Sequence, residues 1–173
     1  MDIDDRWHLG TVSINVDNWN LKLSNYNESS RSNYILEIYE KGKELDFTLT
    51  SPYSIPIVHD KIKVKLEFID HISFRPIGFP SYYIESQYWM LQTEDPVECM
   101  NRALSTYEIF PSDFVNPNVR GHFKNVDKAV LDRDIVKDLQ VFRVKYWDNN
   151  LIVRHDIKQM LEEFSGLRFT CIE

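Results

Sequence analysis

The sequence predicts an α+β fold, with mixed or antiparallel sheets carrying two similar strand–helix–strand units packed on a shared core. Three observations predict it. Short runs of alternating polarity recur along the chain, two distant segments align without a gap, and each of those segments carries a helical spacing between apolar runs. A chain of 173 residues with 43% hydrophobic and 13% aromatic residues buries a sizeable core without disulfide staples. It is long enough for a single domain over 1–173. A division into two lobes is also open, 1–80 holding the first unit and 81–173 the second.

Thr11 to Val16 alternates as a half-buried strand does, and the polar run 25–32 reads as a loop. Tyr34 to Tyr39 and Leu45 to Thr50 are β-rich and flank Glu40-Lys-Gly-Lys-Glu44. A glycine takes positive φ without steric cost, so Gly42 predicts a hairpin there. Pro52 and Pro56 follow, and Pro56 has no N–H to give a central ladder.

Ile57 to Ile77 then aligns with Ile152 to Ile172. Ile57/Ile152, Val58/Val153, Ile62/Ile157, Lys63/Lys158, Leu66/Leu161, Glu67/Glu162, Phe74/Phe169 and Ile77/Ile172 are identical pairs. Ile69/Phe164 and Ile72/Leu167 are conservative. In each copy a short apolar strand is followed by apolar residues at i, i+4 and i+7, the spacing of one helix face. A second strand is expected after the helix, with Gly166 as a terminator in the later copy. One such unit cannot cover its own apolar faces, so the two copies are expected to pack together. Between them, Tyr82 to Leu91 reads as a long aromatic strand and Glu94 to Leu104 as a turn and short helix, with acidic residues where the helix dipole favours them. Pro111 to Asn125 reads as a loop, Val141 to Tyr146 as a strand, and Trp147 to Asn150 as a turn.

The chemistry-bearing residues form no recognisable reactive set. His8, His59, His71, His122 and His155 show no i, i+4 pair, and Cys99 and Cys171 stand far apart, so no metal or cofactor is expected. Five scattered glycines build neither a P-loop nor a dinucleotide fingerprint. Cys99 with His122 as its base is conceivable as a nucleophile, but neighbouring Val97 and Met100 favour a packed core cysteine. The four tryptophans and nine tyrosines are mostly core, with some suited to an interface. The acidic start lacks a secretory signal pattern and no long apolar run follows, so a cytoplasmic location is expected. A formal net charge of −7 disfavours binding to nucleic acid or anionic membrane and suits a basic protein partner.

The second half, from about Tyr82, resembles the eleventh-numbered family of bacterial immunity proteins from polymorphic-toxin loci. Tyr88-Trp-Met-Leu-Gln92 with Val97-Glu-Cys-Met-Asn101, then Val130-Leu-Asp132, Val141-Phe-Arg-Val-Lys145, and the close from Leu151 through Gly166-Leu-Arg-Phe169 carry the resemblance. A serine expected at the helix start is His59 in one copy and Arg154 in the other, although Asp60 and Asp156 still favour the first turn. The resemblance implies a non-enzymatic inhibitor that binds and neutralises a cognate toxin by stoichiometric contact, with no family-wide functional residues. If the toxin is a basic, nuclease-like domain, the acidic stretch Glu94, Asp95, Glu98, Glu108 and Asp113 is the expected partner-binding surface. The contrasting reading is a small-molecule-binding protein or hydrolase using a cleft between the two units.

Overall fold

In the computed structural model, residues 6–14, 34–51, 54–147 and 150–172 are described. Their strands and short helices form an α+β fold. Six strands make one mixed sheet: β1 (His8–Ile14), β2 (Tyr34–Glu40), β3 (Phe47–Leu49), β4 (Pro56–His59), β5 (Ile72–Gly78) and β6 (Tyr88–Thr93). They lie in the order β1-β2-β5-β6-β4-β3. β1 runs antiparallel to β2, β2 parallel to β5, and β4 antiparallel to both β3 and β6. The end of the first expected strand, Asn15 and Val16, lies outside the described residues, as do the 25–32 loop, Pro52 and Trp19.

The chain divides into two compact units. The first comprises Met1–Phe68, Ser73–Gln92 and Leu161–Leu167, and the second Ile69–Ile72, Thr93–Met160 and Arg168–Glu173. The first unit is built on a core of Trp7, Leu9, Leu36, Ile38, Leu45, Ile57, Ile77, Tyr88 and Met90, supplied by the inward faces of the sheet. The second is built on Cys99, Leu131, Phe142 and Val144, against which Val97, Met100, Trp147 and Ile172 pack.

The expected hairpin at Gly42 does not form. β2 already has a neighbour on each edge, so β3 has no place beside it and pairs instead with β4, Phe47 opposite Val58. The connecting segment is held in extended form, with the Trp7 amide donating to the Lys43 carbonyl at 3.2 Å. Pro56 begins β4, a position where a missing amide costs least.

Strand, helix and strand do follow one another in the first aligned segment: β4, α1 (Asp60–Leu66) and β5. Ile62, Leu66 and Ile69 are buried, as their spacing predicts. His59 takes over the capping role of the missing serine, its Nδ1 accepting from the Lys61 amide at 3.0 Å. The second aligned segment opens in the same way with β10 (Ile152–Val153) and α3 (His155–Leu161), and Ile157 and Leu161 are buried. There the likeness stops. Residues 168–172 form no strand, and β10 pairs with β9 (Val141–Phe142) in a separate two-stranded sheet. An apolar pattern specifies a buried face, but a strand also needs a neighbour with a free ladder. Ile172 meets its apolar requirement by packing on the second unit's core without one.

Ser165 shows what the end of the second segment does instead. Its hydroxyl donates to Asp46 Oδ2 at 2.7 Å and its amide does so at 2.9 Å. The Ser165 hydroxyl accepts from the Asp46 amide, and its carbonyl accepts from the Phe47 amide, each at 3.0 Å. These bonds satisfy the free edge of β3. Burial would raise the Asp46 carboxyl, but the Ser165 hydrogen bonds and the nearby His59 and Lys61 bring it below its usual value. A depressed folded-state value means stability that is present above the unfolded value, about 4, and lost as pH falls through the folded one. Asp46→Asn is therefore expected to cost about 1–2 kcal/mol in urea unfolding at pH 7, with the difference from the parent shrinking at pH 3. A cost that does not change with pH would contradict this account.

Candidate functional site

All five carboxylates expected at a partner surface, Glu94, Asp95, Glu98, Glu108 and Asp113, are exposed and belong to the second unit. The segment from 94 to 104 bends at 94–95 and turns at 102–104, but the predicted helix does not form. Between those points Val97 bridges Val144 and Met100 bridges Leu131, so the chain runs extended from 97 to 100. The core decides this, because Val97 and Cys99 both contribute to it while Glu98 faces solvent. Three of the carboxylates carry their own basic partners. Glu94 lies 3.4 Å from His71 Nδ1, Glu98 lies 3.2 Å from Lys145 Nζ, and Glu108 lies 3.4 Å from Lys124 Nζ. Glu98 raises the Lys145 ammonium above its ordinary value, through their hydrogen bond first and then through charge. Exposed pairs of this kind are worth roughly 0–1 kcal/mol and can exchange partners readily.

Two of the five lie on a hairpin that periodicity did not reveal. β7 (Thr106–Ile109) pairs antiparallel with β8 (Phe123–Lys128), Glu108 opposite Asn125, with register shifts at both ends. These irregularities blur the strict alternation on which a strand prediction depends. One side of the hairpin is anchored by Tyr107 against Phe123, ring centroids 4.8 Å apart. The Phe123 amide donates to the Tyr146 carbonyl at 2.8 Å. The loop between the strands contains a single 3₁₀ turn at Pro117–Val119, capped by the Asn116 side chain, which accepts from the Asn118 amide. Asp113 sits in this loop, followed by Phe114 and Val115 in solvent.

Family-model comparison decides the affiliation: the Immunity protein family (Imm11) matches residues 69–173, well over half of the chain. The chain belongs to the Imm11 immunity protein family. No curated protein matches it. The Imm11 match starts earlier than the Tyr82 limit that the sequence motifs suggested. The whole second unit falls inside it, together with β5 and β6 of the first. The five carboxylates and the hairpin are thus part of the Imm11 segment, whereas α1 and β1–β4 are not.

Cys99 and the carboxylates of one groove have structural work in this Imm11 protein. Cys99 is buried, and its thiol is pushed up to about 11 by that burial, with a smaller contribution from Asp132, despite a backbone hydrogen bond that opposes the rise. A thiol so rarely ionised is a poor nucleophile at neutral pH. A groove of about 570 Å³ in the first unit is lined by Asp46, Asp60, Lys61, Val64, Lys65 and Glu163, among others. Its carboxylates are engaged: Asp46 by Ser165, Asp60 by the Trp89 indole N–H at 2.8 Å, and Glu163 by Lys65 at 3.4 Å. Among the described residues no three His, Cys, Asp or Glu side chains gather as a metal site would require. Nor is any described helix long and apolar enough to cross a membrane. Trp7 and Trp147 are drawn into the two cores and Trp89 into its bond with Asp60, whereas Tyr39 and Tyr83 stay exposed.

Proposed function

We propose that this immunity protein acts in the cytoplasm by binding a cognate toxin of a polymorphic-toxin system and neutralising it through stoichiometric contact, without chemistry of its own. Membership of the Imm11 family carries the reading. The exposed carboxylates of the second unit support it, because they lie within the family segment and are exposed to solvent where a cationic surface can reach them. Glu94, Asp95, Glu98, Glu108 and Asp113 form the proposed partner-facing set. A basic, nuclease-like toxin domain is the partner they suit, since a protein that grips phosphates presents Lys and Arg where these side chains can compete. Asp95 and Asp113 have most to offer such a partner, for the other three already hold basic neighbours.

Co-expression tests the reading directly. Cells producing the toxin encoded beside this gene are expected to survive when the protein is present at equal or greater amount. Equal killing with and without it would sink the proposal. Reversing both Asp95 and Asp113 to Lys is expected to weaken binding about tenfold at low salt, mainly through a slower on-rate, and to flatten the salt dependence. Stopped-flow association at two ionic strengths would measure both effects.

A further inference from the structure

The loop of the β7–β8 hairpin carries an apolar tip that no core or ion pair in the second unit explains. Val115 is 92% exposed, and Ile109 and Phe114 are 47% and 37% exposed. A single exposed apolar residue is ordinary, but here the backbone beneath several of them is fixed. The Phe114 amide donates to the Pro111 carbonyl at 3.1 Å, and the Phe114 carbonyl accepts from Arg120 Nε at 2.8 Å. Across the neck, Phe110 and His122 exchange one bond at 2.9 Å, and Gly121 donates back to Phe110 at 3.0 Å. Gly121 makes that return possible with a φ of +77° and open space around its Cβ position. The Phe110 and Phe114 rings lie 4.7 Å apart, and Pro111 and Pro117 remove further freedom. A loop ordered before binding loses little conformational entropy when its side chains are buried.

We propose that Phe114 and Val115 are the apolar anchor that this protein seats in a concave pocket of its toxin, with Asp113 against a Lys or Arg on the pocket's rim. The inference rests on the toxin-binding reading above and specifies its point of contact. A second copy of this chain is the poorer occupant. Each copy carries a formal net charge of −7, and tip-to-tip packing by two-fold symmetry sets one Asp113 near the other. Three side chains also offer far less than the roughly 1,200 Å² that a stable interface buries, whereas a pocket around them needs only their own surface for a hot spot. The charge shortfall of the acidic set points the same way. With Glu94, Glu98 and Glu108 already matched by basic neighbours, affinity has to come from desolvated apolar contact more than from charge.

Calorimetric titration of the full chain with the toxin domain encoded beside its gene tests this, using the parent, Phe114→Ala and Val115→Asp. The expected result is tight binding by the parent and a loss of about thirty-fold or more in each variant, with unchanged thermal unfolding. Val115→Asp lies at a solvated position, so it keeps the test valid should Phe114→Ala loosen the loop. Parent-like affinity in Val115→Asp would overturn the anchor while leaving the toxin-binding reading intact. Failure of the parent to bind would instead overturn that reading, and the anchor with it. Concentration-dependent dimerisation of the parent, abolished by Val115→Asp, would assign the tip to self-association and also overturn the proposal.

Discussion

Trp7→Ala is expected to lower the unfolding free energy by about 4 kcal/mol, the largest single effect in the first unit. Trp7 is 2% exposed, and its ring lies 5.0 Å from Tyr88 and 5.8 Å from Phe79 between centroids. Truncation leaves a void walled by the Tyr88 ring on β6 and the Phe79 ring just after β5, which cannot collapse without moving the ends of those strands. Tyr88 itself is anchored in this environment, its hydroxyl held well above the ordinary value by burial and by the carboxylates of Glu44 and Asp46. A second substitution separates packing from polarity. The Trp7 indole N–H is buried and has no hydrogen-bond partner among the described residues, so Trp7→Phe removes that unmet donor together with part of the ring. The two changes oppose each other, and a cost of about 1 kcal/mol or less is expected. Urea unfolding followed by far-UV circular dichroism measures both variants. Equal losses for Ala and Phe would show that ring packing is not what Trp7 contributes.

Gly166→Ala is expected to cost about 3 kcal/mol, from two causes that add. The residue has a φ of +91°, where an L side chain is strained. A Cβ would also run into the Phe47 carbonyl oxygen, with the Leu45 side chain close behind it. That oxygen belongs to the strand that the Ser165–Asp46 contacts secure, so relief by backbone movement would break those bonds. Gly121 supplies the contrast. It too has positive φ, but nothing surrounds its Cβ position, so Gly121→Ala carries only the conformational part, about 1 kcal/mol. Matched unfolding curves for the two variants separate strain from collision. Similar losses in both would show that the Phe47 contact does not matter.

Much of the local structure was legible from residue spacing. Ile62, Leu66 and Ile69 mark the buried side of α1, and Ile57 and Val58 mark β4, because periodicity reports which face meets a core. The family likeness rested on the order of short strand motifs from Tyr88 to Phe169 and was sound. The candidate surface was only half legible. Exposure of the five carboxylates followed from their polarity, but the cations facing three of them come from positions 71, 124 and 145, which no local window connects. The β7–β8 hairpin was missed because its irregular pairing breaks alternation, although Asn116-Pro117-Asn118 and Gly121 did mark the loop at its tip.

The sequence by itself determined the buried faces of α1 and α3 and the short apolar strands at Ile57–Val58 and Val141–Phe142, since each depends on neighbours a few residues apart. Only the tertiary structure decided that β3 joins β4 and leaves β2, that the run after Gly166 stays outside any sheet, and that Trp7 enters a core. Those outcomes turn on which distant segment has an unfilled edge or an unfilled cavity. Competition of that kind is settled when the whole chain packs, so no single stretch of residues records its result.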